Sequence, residues 1–290
     1  MIRPSTFSIV AYDPVEQAWG VAVASKFPAV GAVVPWAQAH AGAIATQSYA
    51  NTSYGPNGLK LLASGLSAEE TLARLLADDP DREHRQVGIV DAAGRSATFT
   101  GNQCSPWAGG LASENLAIQG NILAGEGVVQ AMLDAYQRNA AAHFPDRLIA
   151  ALLAGDRAGG DRRGRQSAAI YVAKYKGGYA GYNDRWIDYR VDDHPDPVSR
   201  LAELLELQKL YFGKSPESEQ IPLEGEPLAS LQRIMIRLGY YQGEPDGRLD
   251  AATSDALRTF TGNENFEERV HLDKGRMDRP VYEFLIKRFA

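Results

Sequence analysis

Residues 6–26, TFSIVAYDPVEQAWGVAVASK, read as two strands joined by a tight turn. Phe7, Ile9 and Ala11 alternate with Thr6, Ser8, Val10 and Tyr12, the period of two expected of a strand with two distinct faces, and Asp13-Pro14 supplies turn chemistry. Residues 19–25 are almost wholly apolar and small, which places them inside a sheet covered on both faces. In an antiparallel pair the start of one strand lies beside the end of the other, so Thr6 is expected to meet Ser25 and Lys26. A hydroxyl nucleophile and a cation would then share one end of a sheet.

The rest of the chain builds outward from this hairpin. Residues 31–36 are apolar, and 41–47 read as a buried strand ending in the polar Thr46-Gln47-Ser48. Pro56 suits the first turn of a helix and Gly65 its stop. Ser67 with Glu70 forms a capping box that opens a second helix to about Ala77. Residues 86–90 and 96–100 flank Asp91-Ala92-Ala93-Gly94 as a hairpin. A loop over 101–110 precedes a strand at 116–119 and a bend at Gly120-Asn121. Helices are expected at 126–141 and 145–154, and strands at 166–172 and 186–191. Strand groups separated by paired helices favour a layered α+β domain.

A helix over 197–212 closes that domain, taken as residues 1–212. Residues 213–227 are rich in Pro, Glu and Ser and lack periodicity, so they read as a linker. A small all-α domain over 228–290 starts with Leu228, Leu231, Ile234, Met235 and Leu238 on one helical face, followed by a second helix at about 252–260.

Six segments taken together resemble a prokaryotic domain-of-unknown-function family, DUF1028, over residues 6 to about 210. They are TFSIVA (6–11), GVAVASKFPAVGAVVPWA (20–37), RQVGIVDAAG (85–94), QGNIL (119–123), AGGDRRGRQSAA (158–169) and RVDDHPDP (190–197). Through that family the chain is similar to the N-terminal nucleophile (Ntn) hydrolases. The resemblance implies a four-layer αββα sandwich and a catalytic residue at the start of the first strand, here Thr6. Leu231-Gln232, residues 238–241 (LGYY), Asp246-Gly247, Thr253 and Phe260 are similar to a peptidoglycan-binding domain, with a departure at 261–266, TGNENF.

An enzyme of the N-terminal nucleophile kind uses its own α-amine as general base, since an amine with a pKa of about 8 can take the hydroxyl proton where an amide nitrogen cannot. Here that requires cleavage of the Ser5–Thr6 bond. Without it, Thr6 is a β-branched residue opening a strand. Ser8 is a second hydroxyl on the same face, and Ser25 closes the adjoining strand. Lys26 would lower the pKa of the attacking group or stabilise an oxyanion, or else be a solvated turn residue. Gln47, Asn51, Gln119 and Asn121 are amides near strand ends, the type that donates to an oxyanion or fixes a substrate, or that bonds local backbone. The Gly-rich basic loop at 158–167 meets neither a Walker nor a dinucleotide spacing. Within it, Asp161 and Ser167 would orient the nucleophile amine, or Asp161 would close a turn. Asp192, Asp193, His194 and Asp196 are dense enough to invite a hard cation. Asp196 before Pro197 fits a helix N-cap, leaving Asp193 and His194 as pocket residues, and no metal or cofactor is assigned.

At 290 residues, with 44% hydrophobic and 23% charged residues, the chain can bury one large core and a small one. A net charge of −6 without a basic stripe argues against nucleic acid as a partner. The single cysteine, Cys104, excludes an intrachain disulfide and reads as structural. No charged-then-apolar leader and no membrane-length apolar run appear, so a cytoplasmic protein without membrane contact is expected. The expected function is amidohydrolase or peptidase chemistry on a small-molecule or peptide amide, with a glycan or muropeptide as a second candidate partner and a homo-oligomer compatible with either. The alternative is an unprocessed, non-catalytic ligand-binding or assembly protein on the same fold.

Overall fold

The computed structural model describes residues 6–289; Met1–Ser5 and the Ser5–Thr6 bond lie outside them. β1 (Thr6–Asp13) and β2 (Ala18–Ser25) form the expected hairpin, and Asp13 accepts the N–H groups of Val15 and Glu16 to close its turn. β3 (Pro35–Gln38), β4 (Gly42–Ser48), α1 (Tyr54–Ala63) and α2 (Ala68–Ala77) follow. The capping box of α2 is complete, Ser67 accepting from the Glu70 N–H and Glu70 from the Ser67 N–H. Next come β5 (Arg85–Asp91), β6 (Ser96–Thr100), β7 (Gly109–Ser113) and β8 (Leu116–Asn121), then α3 (Gly127–Arg138) and α4 (Phe144–Arg157). β9 (Ser167–Lys174), β10 (Arg185–Val191) and α5 (Pro197–Phe212) complete this part.

The strands form two antiparallel sheets, β10-β9-β2-β1-β8-β7 and β3-β4-β5-β6. Strand alternation sorts their side chains into separate cores. Phe7, Ile9 and Ala11 pack with Val129 and Met132 of α3, Leu148 and Leu152 of α4, and Leu201 of α5. The other face of β1, with Val10 and Tyr12, joins Val21 and Val23 of β2 and Ala43, Ala45 and Val90 of the second sheet. Ile44, Val87 and Ile89 turn outward to Leu59, Leu62, Leu72 and Leu75 of α1 and α2. The layers are therefore helices, sheet, sheet, helices. This is the αββα arrangement, and it explains why β2 is buried along its whole length.

The chain divides into two compact units between Leu205 and Glu206, inside α5. The stretch 213–227, expected as a linker, instead carries β11 (Gln220–Pro222) and the start of α6 (Gly225–Arg237), with Ile221 and Leu223 buried in the core of the second unit. Leu and Ile at those positions bury apolar surface, which a solvated linker would not do. α7 (Ala251–Asn263), β12 (Val270–His271), β13 (Arg276–Asp278) and α8 (Arg279–Phe289) complete that unit around Leu228, Leu231, Met235, Leu257, Phe260 and Leu285. It is mainly helical, as expected, and adds a small β11-β13-β12 sheet. Among the described residues no helix is long and apolar enough to cross a membrane.

Candidate functional site

The strand register sets one row of hydrogen-bonding side chains across an end of the larger sheet. Thr6 pairs with Ser25 on β2 and with Asn121 on β8, and Ser25 pairs in turn with Ser167 on β9. Residues directly opposite in an antiparallel ladder share a face, so all of these lie on the side of the second sheet. Thr6 Oγ1 is 3.2 Å from Ser25 Oγ, and Thr6 is 1% exposed. The meeting of Thr6 with Ser25 is as the hairpin reading expects.

Two residues further along β1, Ser8 lies opposite Gln119 and enters a buried amide network that ties the sheets together. Ser8 Oγ donates to Gln47 Oε1 at 2.7 Å and accepts from Gln119 Nε2 at 2.6 Å. Its proton and a lone pair are thus engaged inside the core, which suits a structural hydroxyl better than a nucleophile. Gln47 Nε2 reaches the Thr6 carbonyl at 3.3 Å and Gln86 Oε1 at 2.9 Å. Asn121 Nδ2 also donates to Gln86 Oε1, at 2.9 Å. Gln86 is therefore a hub of the site that the sequence reading passed over. Its sequence signal is an amide directly before the apolar run VGIV (87–90) of a strand.

On the other side of Thr6 the 158–167 loop closes over the end of β2. Asp161, 6% exposed, accepts the Lys26 N–H at 2.7 Å and the Arg163 N–H at 2.9 Å. The Arg163 guanidinium pairs with Asp161 at 3.0 Å and donates to the Lys26 carbonyl at 3.2 Å. Lys26 thus enters the site through its backbone while its residue is exposed, and the cation held at the strand end is Arg163. Ser167 Oγ donates to the Phe27 carbonyl and accepts the Val30 N–H at 3.1 Å, fixing the chain that leaves β2.

A cavity of about 430 Å³ adjoins this loop, lined by Asp156, Arg157, Gly159, Asp161, Gly164, Arg165 and Pro195. A larger one, about 600 Å³, lies at the far end of β1 beside Tyr12, Asp13 and Arg147, away from the hydroxyl row. The smaller cavity touches Asp161, and Thr6 lines neither of the two.

The remaining candidates lie apart from the row. Asn51 accepts the Ser53 N–H and donates to Asp79 at 3.0 Å, within a cluster where Asp79 also takes Tyr54 Oη at 2.8 Å and Arg85 Nε at 2.8 Å. Hydrogen bonding from Arg85, opposed by burial and aided by Asn51 and Tyr54, holds the Asp79 carboxyl well below the usual carboxylate range. Asp193 and His194 are exposed, Asp193 accepting from Gln166 and His194 from the Asp196 N–H. Among the described residues no group of His, Cys, Asp or Glu is arranged to hold a metal ion. Burial pushes the Cys104 thiol up, which suits a structural residue donating to the Arg85 carbonyl.

A four-layer α+β domain with a buried hydroxyl row at one end, in a chain that also carries a small helical unit, defines the class of protein. The chain belongs to the family of unknown function DUF1028, which matches residues 6–201. Residues 211–285 match a second family, described as "Putative peptidoglycan binding domain". Among solved structures the chain is similar to the crystal structure of protein SPO2555 from Silicibacter pomeroyi, assigned to the same DUF1028 family. The two share 30% identity, with 71% of this chain and 89% of that chain covered and a TM-score of 0.63. A comparison with curated proteins gave no match.

Proposed function

We propose that the family domain is an N-terminal nucleophile amidohydrolase whose nucleophile is Thr6, released by cleavage of the Ser5–Thr6 bond. The observation that carries this reading is the position of Thr6. It opens the central hairpin, with its hydroxyl 3.2 Å from Ser25 Oγ and with Asn121 opposite on the neighbouring strand. Thr6 Oγ1 would attack an amide carbonyl while the freed α-amine takes the hydroxyl proton and passes it to the leaving amine. Water would then hydrolyse the ester so formed. Arg163, clamped by Asp161 at the end of β2, would hold the cationic role expected of Lys26.

The cavity beside Asp161 would hold the substrate. Arg157 and Arg165 stand on its wall and Arg162 lies in the same loop, favouring an amide that carries a carboxylate. A wall-derived peptide would meet that requirement, and the peptidoglycan-binding-type domain would recruit the attached glycan.

One observation favours a second reading, an unprocessed ligand-binding or assembly protein: Thr6 is 1% exposed and bordered by an extensively bonded network. Intact mass and N-terminal sequencing of purified protein, fresh and after incubation near neutral pH, separate the two. Loss of residues 1–5 in the wild type but not in Thr6→Ala supports the enzyme. A chain that never begins at Thr6 leaves the binding protein.

A further inference from the structure

Gln86 is fully buried on β5, and its amide reaches the larger sheet. One end of that amide lies against two backbone carbonyls, Gly120 at 2.7 Å and Gly109 at 3.2 Å. Carbonyl oxygens only accept, so this end is the NH₂ group. The opposite end is then the oxygen, and it faces the amides of Gln47 and Asn121, each at 2.9 Å. Both neighbours must turn their NH₂ groups toward it. The orientation of Asn121 is thereby dictated by main-chain carbonyls on β7 and β8.

Asn121 also stands opposite Thr6 in the β1–β8 register. One Nδ2 hydrogen goes to Gln86, which turns the NH₂ group toward Gln86 and leaves Oδ1 as the end of the amide directed away from it. We propose, on the reading that Thr6 is the nucleophile, that Gln86 is a positioning residue that makes Asn121 a hydrogen-bond acceptor for Thr6 and not the oxyanion donor its residue type suggests. The Thr6 hydroxyl proton passes to the Thr6 amine, the ammonium so formed is held by Asn121 Oδ1, and it later protonates the leaving amine. The oxyanion takes its hydrogen bonds from other N–H groups. Three amides would then share one purpose: Gln47 grips the Thr6 carbonyl, Asn121 its amine, and Gln86 aligns them both.

The test reads covalent labelling of Thr6 by a β-lactone, followed by mass. Asn121→Asp keeps an oxygen toward Thr6, whereas Asn121→Leu keeps neither donor nor acceptor. The Asp variant also sets an oxygen against Gln86 Oε1 and is expected below wild type yet well above the Leu variant, which is expected to lose the roughly 10²–10³-fold typical of a lost site hydrogen bond. Equal loss in both variants is the signature of a donor and overturns the proposal. Gln86→Glu sets a carboxylate oxygen against the Gly120 and Gly109 carbonyls. Its labelling, taken as a ratio to wild type at the same pH so that protonation of the Thr6 amine cancels, is expected to fall near neutral pH and to recover in acid, where the protonated side chain again donates to Gly120. A loss that acid does not reverse while the variant stays folded, by circular dichroism, marks a merely structural role and overturns the positioning claim.

The orientation is also readable without any reaction. Asn121 side-chain NH₂ signals, assigned by their disappearance in Asn121→Asp, are expected to exchange slowly with solvent and to move in Gln86→Glu. Rapid exchange in the wild type sinks the orientation itself. Slow exchange with no labelling of wild-type Thr6 upholds the orientation but removes the nucleophile reading, and with it the catalytic part of the proposal.

Discussion

The Asp161 carboxylate accepts the Lys26 backbone N–H at 2.7 Å, across 135 residues of chain. Arg163 completes the clamp, paired with Asp161 and donating to the Lys26 carbonyl, so one residue at the end of β2 is gripped at its N–H by Asp161 and at its C=O by Arg163. In Asp161→Asn an NH₂ group must face N–H donors, and the charge that holds Arg163 is lost. The variant is expected to lose about 2 kcal/mol of stability in urea unfolding, the scale of a buried donor left unsatisfied. An unchanged midpoint would mean that the loop is held by other contacts.

Asp79 gives the fold an acid-sensitive point. Its carboxyl lies well below the ordinary range because of Arg85 first, against burial, and then Asn51 and Tyr54. An unfolded aspartate titrates at about 3.9, so on the acid side the unfolded chain binds the extra proton. The stability contributed by this group is therefore fully present above about pH 5 and declines as pH falls through the unfolded and then the folded value. Asp79→Asn is expected to be less stable at pH 7 and to show a flatter decline between about pH 5 and 3. Urea midpoints across that range check it; parallel curves for the two proteins would count against the cluster.

The hairpin, the capping box of α2 and α5 were legible because period-two alternation, a Ser67/Glu70 pair and a Pro197 start are local signals. The edge strands β3 and β7 were not, since they are only 4 and 5 residues long and β7 reads GGLAS, with little alternation to find. The contact of Thr6 with Ser25 follows from strand direction alone. Asn121 was legible as a candidate amide, but its place opposite Thr6 required knowing that β8 lies beside β1, and Gln86 required knowing which strand of the other sheet faces them; neither fact is local in sequence. Lys26 was read for its ammonium group, yet its N–H and C=O are what the site uses. No residue pattern distinguishes those two roles.

Gly88 tests the fit between the sheets. A Cβ at this position on β5 would lie 2.0 Å from Gln119 Oε1 and 2.5 Å from its Cδ. Gln119 cannot simply withdraw, because its Nε2 is bonded to Ser8 Oγ at 2.6 Å. Gly88→Ala is expected to destabilise the protein by about 1–3 kcal/mol, the usual range for overpacking. The partner is identified by adding Gln119→Ala, which should recover part of that loss; strictly additive effects would place the clash elsewhere.

In the second unit, Arg269 and Asp278 form a buried ion pair at 2.6 Å, with side chains 4% and 2% exposed. Arg269 also donates to the carbonyls of Lys209 and Leu210, and His271 Nε2 lies 3.1 Å from Asp278. Asp278→Ala strands a buried guanidinium and is expected to cost about 3–5 kcal/mol. Calorimetry on the full chain should show that loss in the transition of the C-terminal unit while the transition of the family domain stays in place. A shift of both transitions together would contradict a defect local to this unit.

The loop beside the cavity makes a claim about charge. Arg163 and Arg165 are paired with Asp161 and Asp156, while Arg157 and Arg162 form no ion pair among the described residues. If they attract a substrate carboxylate, Arg157→Gln and Arg162→Gln should slow labelling of Thr6 by an anionic β-lactone and leave a neutral one of the same size unaffected. For these exposed groups the expected effect is about three- to tenfold per arginine, shrinking as salt shortens the reach of each charge to within about 8 Å. The comparison is made as a ratio of the two probes, which cancels any change in the reactivity of Thr6 itself. A ratio that neither substitution nor salt alters would assign the cavity to an uncharged amide.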